Sequence, residues 1–238
     1  AGDAKSLGVA MYFELTREPG EISLQILDDD NNVVRTYTHE DMRLKIVDAN
    51  DSSFNSGLNK FVWDMRYDAV EFIKLEPIAA PGKYTAKLSV DGVEQSSDFN
   101  LSVSPYESYT KAQLKAKEKF WLELYNTART SSAKIKKALA IQKEVLARAE
   151  ANKAVQSQAE TVSIVVDDYK SVYIPKGRTL AEIINQPAKL YSKMAWLHNM
   201  MEVTEGPVAA AMMTIYDQLN EARDKADTEY RQSMAAAS

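Results

Sequence analysis

The chain changes character once, near Pro105, and this change constrains the fold more than any other feature of the sequence. Before it, short runs alternate between apolar and polar side chains and are separated by Gly, Pro, Asn and Asp, the pattern of strands and turns. After it, apolar side chains recur at three- and four-residue steps among many Ala, Lys, Glu and Gln residues, the pattern of amphipathic helices. The sequence therefore predicts an α+β protein with a strand domain at 1–105 and a helical domain at 106–238.

The first domain is predicted to be an immunoglobulin-like β-sandwich. One face of its first strand carries the apolar side chains Val9, Met11, Phe13 and Leu15. Similar alternations continue to Val103 and give about seven short strands in roughly a hundred residues, as such a sandwich requires. The segment 68–80 has weak periodicity, and we predict a long loop or an insertion there.

An acidic turn has the spacing of a calcium-binding loop, because Asp28, Asp30 and Asn32 match its first three ligand positions. However, Val33 stands where such a loop needs glycine, and His39 stands where it needs a bidentate glutamate. Asp and Asn are frequent in turns in any case. We therefore interpret the segment as the turn of a β-hairpin.

The second domain is predicted to be an antiparallel bundle of three to four helices. Thr110 is a good N-cap for a helix of about forty residues that begins at Lys111. The other predicted helices cover 154–169, 187–201 and 208–234. Short connections between long helices favour antiparallel packing of neighbours.

Composition argues against several functional classes. The 238 residues carry a formal net charge of -5 without a basic block, which argues against nucleic acid as a partner. The absence of cysteine excludes disulfides and thiolate chemistry. No apolar run approaches the roughly 20 residues of a membrane span. The chain begins at Ala1 without a methionine, and we expect either a mature protein or an excised fragment.

No assembled catalytic or cofactor motif is present in the sequence. A phosphate-binding loop and a nucleophile-elbow motif are both missing. His198 lacks a second histidine at i+4 that would complete a zinc pair; Glu202 stands at that position, and Glu205 is close to it in sequence. We therefore predict no catalytic residue, no metal and no cofactor for this chain.

Two groups of aromatic residues are candidate binding residues. Trp63, Tyr67 and Tyr84 have the chemistry of a carbohydrate platform, and the competing interpretation places Trp63 in the core of the sandwich. The second group surrounds the change of character and comprises Tyr106, Tyr109, Phe120 and Trp121. These four residues are predicted either to form an apolar docking patch for a partner or to join the two halves, and Trp121 is expected to be buried in both cases.

Four stretches of the sequence resemble a known family. They are ILDDDNNVVRTY at 26–37, GLNKFVWDMRY at 57–67, APGKYTAKLSVDG at 80–92 and QPAKLYSKMAWL at 186–197. Together they resemble the region that follows the β-propeller in bacterial sortilin-like, BNR-repeat proteins, which are often labelled glycosyl hydrolases, especially in Bacteroidetes. The first domain also resembles the immunoglobulin-like domain of flagellar hook-capping proteins.

The resemblance implies an accessory role. Propeller repeats of the family carry an Asp-box, and the nearest approach here, 89–92, has the wrong spacing and no aromatic residue after it. The resemblance thus implies a non-catalytic, extracytoplasmic scaffolding module that contacts an upstream β-propeller or another protein. The alternatives are a carbohydrate-binding module that recognises polysaccharide, or a piece of a propeller-type glycoside hydrolase.

Overall fold

The computed structural model describes residues 8–45, 54, 56–103, 109–177, 182, 186–204 and 206–237. Six strands precede the four long helices in this part of the chain, so the predicted α+β class is confirmed. The strands are β1 Val9–Leu15, β2 Ile22–Asp28, β3 Val33–Tyr37, β4 Gly57–Trp63, β5 Lys83–Val90 and β6 Val93–Asn100. The α-helices are α1 His39–Lys45, α2 Lys111–Ala151, α3 Gln156–Tyr173, α4 Leu190–Val203 and α5 Ala210–Ala237.

The chain forms two compact units whose limits differ from the predicted division at residue 105. The first unit comprises Ala1–Asp68 and Glu76–Glu118, and the second comprises Ala69–Leu75 and Lys119–Ser238. The long helix α2 therefore contributes its residues up to Glu118 to the first unit. The predicted insertion at 68–80 contains a segment that belongs to the helical unit.

The strands of the first unit form two antiparallel sheets of unequal size. One sheet has four strands in the order β3-β2-β5-β6, and the other consists of β1 and β4. The acidic turn joins β2 to β3, as predicted for a hairpin: Asn31 has a φ of 61°, and the Asp28 side chain accepts the backbone N–H groups of Asp30 and Asn32 at 3.0 and 2.8 Å. A side chain that accepts its own turn's amides stabilises the reversal of the chain.

Aromatic rings from both sheets form the core between them. The indole of Trp63 on β4 lies 5.5 Å from the ring of Tyr84 and 6.0 Å from that of Phe99, centroid to centroid. Phe61, two residues earlier on β4, meets Tyr37 of β3 edge-on at 4.7 Å. Alternate residues of a strand face the same side of a sheet, so β4 directs both rings at the four-stranded sheet.

Helix α1 was not predicted from the sequence, although its start carries a capping signal. The Thr38 hydroxyl accepts the N–H of Asp41, and the Asp41 carboxylate accepts the N–H of Thr38 at 2.9 Å. This reciprocal pair satisfies backbone donors that the first helical turn leaves free. The helix packs on β2, β3 and β4 and buries Met42 completely.

In the second unit, helices α2 and α5 run in the same direction, and the two shorter helices α3 and α4 run in the opposite direction. Three contacts give the direction of α3 and α4 relative to α2: Gln142 with Ser163, Ser132 with Tyr191, and Trp121 with His198. In these contacts the residue numbers on α2 decrease while those on α3 and α4 increase, so both shorter helices run antiparallel to α2. Helix α5 runs parallel to α2, as the contacts of Thr127 with Tyr216 and of Lys134 with Asp227 require.

The segment Ala69–Leu75 packs where α3 gives way to α4. The Ser132 hydroxyl donates to the backbone oxygen of Glu71 at 3.0 Å and lies 2.9 Å from the Tyr191 hydroxyl. The ring of Phe72 stacks on the Tyr191 ring at 6.3 Å. Burial raises the pKa of Tyr191 to about 12, which keeps its hydroxyl protonated as a donor. The apolar side chains that this segment buries are Val70 and Leu75.

Replacement of Trp63 tests the core of the first unit. Trp63 has no solvent exposure, so Trp63→Ala should lower the free energy of unfolding by about 3–5 kcal/mol through lost burial and the cavity left behind. Trp196→Ala is the matched control, because the indole of Trp196 is 45% exposed. Urea denaturation followed by far-ultraviolet circular dichroism measures both, and equal losses for the two variants would contradict the assignment.

Candidate functional site

The three residues considered for a carbohydrate platform lie in the core of the first unit. Trp63, Tyr67 and Tyr84 are 0%, 8% and 4% exposed. The Trp63 N–H donates to the backbone oxygen of Arg66 at 3.1 Å, and the Tyr84 hydroxyl donates to that of Ala80 at 2.7 Å. Sugars stack on exposed ring faces, and these rings present none. Trp63, Tyr67 and Tyr84 therefore do not form an exposed carbohydrate platform in this structure.

Among the four residues near the change of character, those that the structure describes do not form an exposed patch. Tyr106 lies outside the described residues, and Tyr109 is half-buried. Phe120 and Trp121 are buried, which confirms the expectation for Trp121. The Phe120 ring packs edge-on against Tyr216 at 5.4 Å, within the helical unit.

His198 serves the helical core. Its Nδ1 accepts the indole N–H of Trp121 at 2.7 Å, and its Nε2 lies 4.0 Å from a carboxylate oxygen of Glu202. This bond fixes the neutral tautomer with the proton on Nε2, facing the carboxylate. Among the residues that the structure describes, no three His, Asp or Glu side chains come together as metal ligands.

A buried carboxylate links three helices of the second unit. Asp227 of α5 accepts the hydroxyls of Tyr169 and Tyr173 of α3 at 2.7 and 3.2 Å, and it forms an ion pair with Lys134 of α2. Burial alone would raise the pKa of the Asp227 carboxyl, but the bonds from Lys134 and the tyrosines outweigh it and hold that pKa below its usual value. Asp227 is therefore ionised at neutral pH and fully engaged.

A second partly buried carboxylate lies in the first unit. Glu118, near the start of α2, accepts the backbone N–H of Ala80 at 2.8 Å and the hydroxyl of Tyr67 at 3.3 Å. Burial raises the pKa of Glu118, although the Ala80 N–H, Lys115 and the Tyr67 hydroxyl partly offset it. The two carboxylates thus have pKa shifts of opposite sign, since only Asp227 has a directly bound cation.

The clearest surface feature is the outer face of the two-stranded sheet. Tyr12 on β1 is 62% exposed and Leu58 on β4 is 74% exposed. The register pairs Tyr12 with Lys60 and Glu14 with Leu58, so the two apolar side chains are diagonal neighbours. Their aromatic and aliphatic surfaces are unusual at solvent-facing strand positions.

The inner side of β1 borders a groove between the sheets. Val9, Met11 and Phe13 point inward and are only half-buried, in contrast to Phe61 and Trp63 on the paired strand β4. The groove has a volume of about 330 Å³ and is lined across from β1 by Leu24, Ala86, Leu88, Gln95, Ser97 and Phe99. Because the four-stranded sheet is wider than the two-stranded sheet that faces it, part of the inner side of β5 and β6 is left uncovered.

The groove opens at an unpaired strand edge. Within the described ranges, β1 pairs with β4 alone, while α1 packs against β4. A free strand edge offers unpaired backbone N–H and C=O groups to another chain. We use the name β1 docking site for this edge together with the inner residues Val9, Met11 and Phe13 and the outer residues Tyr12 and Leu58.

Two comparisons with known proteins bear on the family of the chain. No protein-family model matches the chain, and no curated protein matches it. The resemblance to sortilin-like, BNR-repeat proteins therefore stays a prediction. In the described part of the chain, no helix has the length and apolarity needed to cross a membrane.

Replacement of Asp227 by asparagine should destabilise the helical unit at neutral pH. Loss of charge-assisted hydrogen bonds in a buried site costs about 2–3 kcal/mol. Because the folded-state pKa of Asp227 is lowered, its stabilising effect is present above the unfolded pKa of about 3.9 and disappears as the pH falls through the folded-state value. The gap between wild type and variant should therefore close in acid, and a gap that stays constant from pH 7 to pH 2 would contradict this account.

Glu118→Gln should show the opposite pH dependence. A raised folded-state pKa means that the contribution of Glu118 to stability is complete below the unfolded value of about 4.3 and is lost as the pH rises through the folded-state value. Glutamine keeps an acceptor oxygen for Ala80 and Tyr67. Chemical denaturation between pH 4 and pH 8 should show that the stability of the variant increases relative to that of the wild type as the pH rises. A relative decrease would disprove the burial argument.

Proposed function

We propose that this chain is a non-catalytic accessory module that works by protein–protein contact and receives an extended strand of its partner at the β1 docking site. The observation that carries the proposal is the open edge of β1 beside a groove whose apolar lining is only half covered. Backbone groups at a sheet edge bind an extended peptide, and adjacent pockets select its alternate side chains.

An immunoglobulin-like sandwich that lacks a strand accounts for this geometry. Such sandwiches pair a sheet containing the third, sixth and seventh strands with a sheet of three or four strands. The order β3-β2-β5-β6 fits the first of these sheets, and β1 with β4 fits the second with its outermost strand absent among the described residues. An added strand beside β1 would take the place of that missing strand.

The exposure pattern of β6 agrees with a missing strand opposite it. The inner-facing residues of β6 are Val93, Gln95, Ser97 and Phe99, and of these only Phe99 is shielded, by Trp63 and Tyr84. Val93 is 66% exposed. A strand added to β1 lies above these positions and buries them.

The partner that we propose is the β-propeller of a sortilin-like, BNR-repeat protein in an extracytoplasmic compartment. The four resembling stretches in the sequence support this partner. Propeller blades are four-stranded sheets with short outer edges, so they present extended strands at their periphery. Tyr12 would then lie on the strand next to the added strand, and Tyr12 and Leu58 would pack together on the blade surface.

The proposal predicts that polar replacements on the outer face weaken binding to a propeller. Tyr12→Glu with Leu58→Lys preserves net charge and leaves the core untouched, so stability should change by less than about 0.5 kcal/mol per site. Binding to a purified β-propeller of a sortilin-like, BNR-repeat protein, measured by calorimetry, should weaken at least about tenfold, since central interface side chains contribute 1–2 kcal/mol or more.

The matched control introduces one glutamate and one lysine at exposed apolar positions of the helical unit. Ile164 and Val203 are 63% and 71% exposed, and Ile164→Glu with Val203→Lys should bind as the wild type does. Strand addition also predicts that hydrogen exchange at Val9–Leu15 slows in the complex. Binding without that protection, or no binding by the wild type, would overturn the proposal.

A further inference from the structure

The helical unit contains a cavity that the proposed docking role does not use. It has a volume of about 580 Å³ and lies between α2 and α5, with Tyr169 of α3 at its floor. Ligand pockets in proteins usually measure about 300–1,000 Å³ and combine apolar walls with a few polar groups. The lining residues of α2 are Lys134, Lys137, Ala138 and Ile141, and those of α5 are Asp224, Asp227, Thr228, Tyr230, Arg231 and Met234.

Each acidic group of the lining already has a cationic partner. The Asp227 carboxylate is bound by Lys134, and the Asp224 carboxylate pairs with Arg223 at 2.8 Å. The negative charge of each carboxylate is therefore balanced by a bound cation, which weakens the attraction of the lining for a positively charged ligand.

Two cations of the lining have no acidic partner in the part of the chain that the structure describes. The Arg231 guanidinium is held by the backbone oxygen of Asp227 at 3.2 Å and by the Thr228 hydroxyl at 3.3 Å, which are both neutral acceptors. Lys137 is exposed at the cavity and forms no ion pair with a described residue. The rim therefore carries an excess of positive charge, which favours an anionic group over a neutral or cationic one.

The rest of the wall is apolar or aromatic. The Tyr169 and Tyr230 rings stack at a centroid distance of 4.3 Å and form a flat side of the cavity. Ala138, Ile141 and Met234 supply aliphatic surface beside them. The Tyr169 hydroxyl is committed to Asp227 and is no donor for a ligand.

We propose that this cavity binds a small anionic amphiphile, whose carboxylate or phosphate group is met by Lys137 and Arg231 and whose apolar body lies on Tyr230, Ile141 and Met234. The pairing of the lining acids disfavours a cationic ligand, and the aliphatic wall favours an apolar tail over a sugar or a bare inorganic ion. The site belongs to the helical unit, so it is independent of the β1 docking site.

Nuclear magnetic resonance titration of the full chain with octanoate, octyl phosphate and 1-octanol tests the proposal. The three probes share one alkyl body and differ in the head group. Octanoate or octyl phosphate should produce saturable shifts at the amides of Lys137, Ile141 and Arg231, and 1-octanol should bind at least about fivefold more weakly, because it lacks the charge that the two cations meet. The stronger of the two anions identifies the head group.

Variants separate the charge from the cavity. Lys137→Gln with Arg231→Gln should weaken binding of the anion about tenfold, whereas Lys143→Gln with Arg129→Gln removes the same charge from exposed positions of α2 outside the cavity and should change it less than about twofold. Ile141→Trp fills the apolar wall, keeps both cations and should abolish binding of the alkyl probes. Thermal melting verifies the fold of each variant.

Three results would overturn the proposal. The first is non-saturable binding spread over the surface. The second is equal weakening by the two double variants, which would reduce the effect to net charge. The third is equal affinity for 1-octanol and the anions, which would leave an apolar cavity without anion selectivity.

Discussion

The helical unit depends on one carboxylate, that of Asp227, which binds groups from two other helices. Tyr169 and Tyr173 reach it from α3, and Lys134 reaches it from α2. Apolar packing alone permits helices to slide and rotate, whereas a buried charge must find its partners in one register. The carboxylate therefore fixes α2, α3 and α5 in a single alignment. The cavity lies beside this cluster, and Asp227, Lys134 and Tyr169 are among its lining residues.

The first unit is organised by a different constraint, the mismatch between a sheet of four strands and a sheet of two. Rings on β4 cover part of the larger sheet and form a solvent-excluded core around Trp63. The half below β1 stays open because no described strand follows β1 in that sheet. Under the proposed function, stability and binding are thus divided between the two strands of one small sheet, and a partner would add to β1 without disturbing β4.

Local features of the fold could be predicted from the sequence, and long-range ones could not. The cap at Thr110, the length of α2 and the hairpin at 28–32 depend on residues within a few positions of one another, and they are confirmed. Thr38 and Asp41 form a capping pattern that could have predicted helix α1, but seven residues are too few for a clear apolar periodicity. The role of Asp227 was not visible, because its partners lie 54 to 93 positions away along the chain. The open edge of β1 was equally hidden, since seven predicted strands implied a complete sandwich where six are described.

The packing of Ala69–Leu75 within the helical unit has a consequence for modularity. The segment that covers the junction of α3 and α4 is encoded between two strands of the other unit, 61 positions before its partner Ser132. Recombination that moves a contiguous stretch of gene cannot carry either unit whole: a cut after β6 strips the helices of their covering segment, and excision of the strands takes that segment with them. The two units are therefore interleaved in the coding order, and a transfer of either one whole must take part of the other with it.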